Sequence, residues 1–153
     1  MIDTKTHSTT KHIVLVPCYL RPIPKEPIVL ASGERLSKLL ALGRTYHPLC
    51  RQNFVEQVIM GYYAYERRME YRTCALAAAY AGAFGPLSIE RPEFSYTMAI
   101  WQLSRRVGFA LEQTFVVGPT GRKQNLAKEM IDLIDANYWT RQGVAEWLRS
   151  IGY

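Results

Sequence analysis

Cysteine is scarce in this chain: three among 153 residues, at Cys18, Cys50 and Cys74. An odd, widely spaced set offers no disulfide framework, so a reducing, cytoplasmic setting is the expectation. Long apolar runs are also missing. The uncharged run from Thr73 to Phe84 spans about a dozen residues, well short of the roughly 20 that a membrane-spanning helix needs. The start of the chain, Met1-Ile-Asp-Thr-Lys-Thr-His7, is polar and lacks the apolar core of a signal peptide. Dense charge is absent as well. The net charge of +6 is spread thinly, and no segment carries the basic block that marks a strong nucleic-acid arm. What is present is an ordinary globular composition, 48% hydrophobic and 21% charged, at the size of one domain. Ten tyrosines stand out, because Tyr suits half-buried positions and contact surfaces.

Small residues dominate Thr73 to Phe84, Thr-Cys-Ala-Leu-Ala-Ala-Ala-Tyr-Ala-Gly-Ala-Phe. Ala is the strongest helix former, and a helix apolar on every side belongs inside a protein. This stretch is therefore expected as the central helix of the domain. Before it, residues 1–31 read as an extended arm. His12-Ile-Val-Leu-Val16 is a β-branched run, Pro17, Pro22, Pro24 and Pro27 forbid regular helix, and Ile28-Val-Leu30 would complete a two-stranded flap.

Residues 32–153 read as a single helical domain. Ser32 is placed to cap a first helix carrying Leu36, Leu39 and Leu40, with Gly43 as its stop. A second helix is expected from Pro48, with Phe54, Val55, Val58, Ile59 and Tyr62 on one stripe, running to a kink near residues 70–73. Gly85-Pro86 closes the central helix. Arg91-Pro92 opens the next, with Phe94, Met98, Trp101 and Val107 as its buried stripe and Gly108 as its stop. Phe109 to Val117 fits either a short helix or a strand. Leu126, Met130 and Ile134 then repeat at spacing four, with Asn137 as a left-handed terminator. Thr140 caps a last helix with Val144, Leu148 and Ile151 buried, ended by Gly152. The expectation is mainly α: a compact bundle of roughly five or six helices around the Ala-rich one.

The residues that could carry chemistry do not assemble into a catalytic set. His47-Pro-Leu-Cys50 offers two ligands three residues apart, but His7, His12, Cys18 and Cys74 supply no second pair. No metal, cofactor-binding or catalytic residue is assigned, and the chain is not expected to be an enzyme. Asp132 and Asp135 share a helical face that solvation alone explains. Gly118-Pro-Thr-Gly-Arg-Lys123 lacks the spacing of a phosphate loop. It remains a basic loop ahead of a helix, with Arg122 and Lys123 as anion contacts. The C-terminal helical hairpin has the outline of a DNA-binding helix–turn–helix, yet residues 126–153 hold three basic against four acidic side chains. A polyanion is poorly served by that surround. Trp139 and Trp147 look instead like anchors into a core or a partner.

The most distinctive surface is Tyr62-Tyr-Ala-Tyr-Glu-Arg-Arg-Met-Glu-Tyr-Arg72. On a helix, Tyr63, Arg67 and Tyr71 would share a face, with Arg68 and Arg72 beside them. Such a face serves a protein partner, or single-stranded nucleic acid through stacking and phosphate pairing.

Arg72-Thr-Cys-Ala-Leu-Ala-Ala and Ile131-Asp-Leu-Ile-Asp-Ala-Asn-Tyr-Trp-Thr-Arg-Gln-Gly-Val-Ala-Glu-Trp-Leu148 resemble segments of small, uncharacterised helical bacterial proteins. Those pair a Cys-Ala-Leu-Gly-Ala-type helix with a late Trp-(Ser/Thr)-Arg-Glu-x-Ile-Ala-x-Trp-Leu pattern. The chain departs from them at Ala77 and at Ile134-Asp135-Ala136. The resemblance implies a compact α-helical domain in a bacterial setting and no catalytic residue. Together these readings lead to a non-enzymatic interaction or regulatory module, self-associating or bound to a protein partner and not to a membrane. The alternatives are a nucleic-acid-binding accessory protein and an enzyme with an unrecognised site.

Overall fold

The computed structural model describes residues 33–153, together with the backbone pairing of residues 6–7 and 12–13. The proline-rich arm, the Ile28–Leu30 strand and the Ser32 cap lie outside the described residues. The elements are β1 (Thr6–His7), β2 (His12–Ile13), α1 (Leu36–Gly43), β3 (Val55–Met60), β4 (Arg68–Thr73), α2 (Ala75–Phe84), α3 (Tyr96–Val107), β5 (Phe115–Val117), β6 (Lys123–Asn125), α4 (Leu126–Asp135) and α5 (Arg141–Ser150). Each consecutive pair of strands forms a two-stranded antiparallel sheet. The architecture is a mix of α and β. It corrects the expected mainly α, all-α helical bundle.

The correction is concentrated in residues 48–73. Where a long helix was expected, β3 pairs with β4 over six positions, from Val55↔Thr73 to Met60↔Arg68. Val55, Val58 and Ile59 satisfy a helical spacing, but β-branched residues lose rotamer freedom in helices and suit a pleated surface. Gly61 supplies the local break. Its φ of +111° is open to glycine, and a Cβ there would come within 2.5 Å of the Glu66 carbonyl oxygen. A lone bridge from Leu49 to Thr73 fastens the base of β4. The ambiguous Phe109–Val117 stretch resolves to a turn followed by β5.

α2 is the centre of the molecule, as its composition predicts. Residues Ala75 to Ala81 are all at most 5% exposed, with α1, α3 and α4 packed around them. Cys74 is its N-cap and not part of it. α1 crosses α2 at backbone contact. A Cβ on Gly43 would lie 1.6 Å from the Ala78 carbonyl oxygen, and one on Gly82 would lie 1.9 Å from that of Leu39.

The last two helices follow their sequence signals closely. Leu126, Met130, Ile134, Val144 and Leu148 are fully buried. The Thr140 hydroxyl accepts from the Gly143 N–H at 2.9 Å, closing the expected cap. Two details differ. The left-handed residue after α4 is Tyr138 (φ 56°), not Asn137, and Ile151 is exposed. α3 ends at Gly108 in the left-handed conformation as read. Its buried face, however, is Tyr96, Ala99, Ile100, Leu103 and Val107, which leaves Met98 and Trp101 turned outward.

Because backbone atoms cannot move aside as side-chain ends can, Gly43→Ala and Gly82→Ala should each cost about 2 kcal/mol or more. The shift in urea midpoint measures it, and an unchanged midpoint would contradict the packing described.

Candidate functional site

The β3–β4 hairpin carries the residues singled out in the sequence, in a new arrangement. Tyr63, Arg67 and Tyr71 do not share a helical face. Tyr63 sits in the connection between the strands, within a 3-10 turn region at Ala64–Glu66, while Tyr71 lies on β4 opposite Gln57. At the tip, Tyr62 is 95% exposed, Tyr63 57% and Tyr65 83%. The Tyr63 and Tyr65 rings are parallel with centroids 5.5 Å apart, and Tyr62 lies 6.1 Å from Tyr63. Arg67 and Arg68 are exposed beside them. Tyr71 and Arg72 are committed lower down. The Gln57 amide donates to the Tyr71 hydroxyl at 3.2 Å, and Arg72 pairs with Glu70 at 3.1 Å.

The basic loop is less available as an anion site than its sequence suggests. It closes the β5–β6 hairpin, and Arg122 reaches Asp132 at 3.5 Å. Lys128 and the Gln124 amide both donate to the same carboxylate at 2.9 Å. Burial pushes the Asp132 carboxyl up, but those hydrogen bonds and the charges of Lys128 and Arg122 outweigh it and hold it below its usual range. Lys123 is exposed on β6. Behind the loop, the buried Glu129 carboxylate accepts from Gln124 and fills the space a Gly118 side chain would need. Asp135 accepts from the Gln52 N–H at 2.7 Å. The two aspartates are thus anchors for separate loops and do not converge.

Trp139 and Trp147 pack against the core at its edge. Beside Trp139, the Arg51 guanidinium donates to the Ile134 and Trp139 carbonyls and lies 5.2 Å from the Tyr138 ring.

The two described thiols, Cys50 and Cys74, are poor nucleophiles. Cys50 donates to the carbonyls of Asn53 at 3.3 Å and Arg72 at 3.4 Å, and burial pushes its thiol far above the ordinary range. Burial likewise raises Cys74 to about 12. Both stay protonated at neutral pH. The His47 Nδ1 is buried without a partner among the described residues, while the His47 carbonyl accepts from Arg141 at 2.9 Å. Among the described residues, no three or more His, Cys, Asp or Glu side chains group to hold a metal ion.

Sequence reasoning missed one feature. Trp101, Arg105 and Arg106 on the outer side of α3, with Tyr80 and Phe84 of α2 and Arg91 from the preceding connection, line a groove of about 490 Å³. The Arg105 guanidinium lies 5.1 Å from the Trp101 ring and that of Arg106 lies 5.6 Å from Phe84. The sequence reading placed Trp101 on the apolar stripe with Phe94, Met98 and Val107. Small Ala99 and the Ile100/Leu103/Val107 spacing carried the correct signal.

His47 yields a pH prediction. Burial, then the Arg141 charge, lower its affinity for a proton below the ordinary value of 6.5, with a hydrogen bond to the Pro86 backbone pulling the other way. The unfolded state therefore takes up more protons on acidification, and stability falls as pH drops through 6.5 toward the lower folded value. His47→Gln should flatten the loss of stability between about pH 7 and 5 seen in chemical denaturation; an identical slope would contradict this assignment.

Against protein-family models, curated proteins and solved structures, the chain gives no match.

Proposed function

We propose that this protein is a non-enzymatic interaction module that self-associates through the tip of the β3–β4 hairpin. The observation that carries the reading is the exposure of Tyr62, Tyr63 and Tyr65 together on one rigid turn. An exposed Tyr ring leaves apolar area in water that association can remove, and its two χ angles cost little entropy to fix. Six paired positions and Gly61 hold the turn in place before any partner arrives, which lowers the ordering cost of binding. The rest of the molecule supports a scaffold role. The Cys50 and Cys74 thiols are protonated, and the Asp132 and Asp135 carboxylates are occupied within the fold. Among the described residues no helix is long and apolar enough to cross a membrane. Two buried, unpaired thiols suit a reducing cytoplasm.

Light scattering after size exclusion tests the reading. The wild type should run above the 17.6 kDa of one chain, with little change between about 50 and 200 mM salt, since the contact is largely apolar. The triple variant Tyr62→Ser, Tyr63→Ser, Tyr65→Ser should run as a monomer with its melting temperature retained. A monomeric wild type, or an oligomer indifferent to the three substitutions, would overturn the proposal.

A further inference from the structure

The groove between α2 and α3 combines charge with aromatic rings, and neither is used by the hairpin. Among the described residues its lining holds Arg91, Arg105 and Arg106 and no acidic residue. Glu34 pairs with Arg106 at 2.6 Å from one end of the groove. Arg91 makes no ion pair among the described residues. Around these guanidiniums stand three rings, Tyr80, Phe84 and Trp101, and the Tyr80 hydroxyl is fixed by donating to Gln102 at 2.5 Å. Arg91 also forms part of the wall of a second depression of about 160 Å³, lined as well by Gln57, Tyr71 and the acidic Glu90. The two depressions therefore adjoin at one arginine.

We propose that this groove binds single-stranded nucleic acid, with bases stacked on Trp101 and Phe84 and phosphates held by Arg91 and Arg106. Two features select this ligand. Several cations facing one open groove, in a chain of net charge +6, favour a polyanion over a neutral chain. The exposed Phe84 and half-buried Trp101 rings beside arginines give unpaired bases a stacking surface; a duplex keeps its bases hidden, and an acidic peptide has no need of one. Arginine supplies both the phosphate fork and a planar face on which a base can lie. The guanidinium–ring pairs Arg105–Trp101 and Arg106–Phe84 show that geometry already formed within the protein.

Fluorescence anisotropy of the full chain with a labelled oligothymidylate of about 15 nucleotides tests the proposal. The wild type should bind at about 50 mM salt and weaken steeply toward 200 mM. Trp101→Ala should weaken binding by about tenfold. Arg91→Gln should weaken it too and lower the slope of log affinity against log salt by about 0.7. Arg91 lies in a connection without an ion pair, so its variant keeps the test alive if Trp101→Ala unfolds; melting temperatures decide which variant is read. The hairpin triple variant should bind the oligonucleotide as the wild type does, which separates this site from the self-association surface. Absence of binding at the lower salt, affinity unchanged in both groove variants, or equal displacement by duplex DNA or polyglutamate would overturn the assignment.

Discussion

Where α1 crosses α2 the two helices touch through their backbones, Gly43 against the Ala78 carbonyl and Gly82 against that of Leu39, with no room for a methyl group at either. Close-packed interiors transmit such a constraint, because neighbouring side chains have no free volume in which to absorb a shift. The alanines that follow along α2 have a related role. They bring α1, α3 and α4 near the helix axis, so that a short helix is covered on every side. Both ends of α2 are thereby placed. Its first residues continue from β4 through Thr73 and Cys74, where Arg141 donates to the Thr73 hydroxyl at 2.8 Å. Its last turn delivers Tyr80 and Phe84 to the groove.

From that centre the aromatic residues divide into two populations. Phe54, Phe94 and Tyr96 close the core beneath the hairpin, with Phe54 5.6 Å from Phe94 and 5.1 Å from Tyr96. Tyr62, Tyr63 and Tyr65 stand at the opposite end of the same strand pair, in water. Polar groups follow the same economy of place. Gln124 satisfies the buried Glu129 and half-buried Asp132 carboxylates together, and Ser37 donates from both its N–H and its hydroxyl to the Tyr153 carbonyl, joining α1 to the end of the chain. Buried polar atoms without partners are costly, so these pairings fix loop positions as firmly as apolar contacts do. The projecting tyrosines and the arginine groove are what that interior leaves outside.

Much of this was legible in the residues. α4 and α5 carry apolar residues at spacing three and four, and Thr140 announces its own helix. α2 is apparent from composition alone. The hairpin was not legible in the same way. Phe54, Val55, Val58, Ile59 and Tyr62 fit a helical stripe as well as a strand, and what decides between them is pairing with Arg68 to Thr73, contacts that local spacing does not encode. Gly61 was the available local signal, since a strand pair needs a turn and glycine supplies its positive φ. The misreading also moved the candidate site. Tyr63, Arg67 and Tyr71 lose their common face, while Tyr65, unweighted in the helical reading, becomes one of the most exposed residues of the tip. On α3 the expected apolar stripe of Phe94, Met98, Trp101 and Val107 was out of phase with the buried face, and Trp101 sits half-buried beside Arg105.

Hydrogen exchange read by mass spectrometry on dilute and concentrated samples tests the central claim most directly. If the hairpin tip is where two copies meet, amides of residues 61–67 will exchange more slowly at high concentration, while those of α1 and α2 keep their rates. Exchange at the tip that is independent of concentration, or protection that appears only on another face, would contradict it.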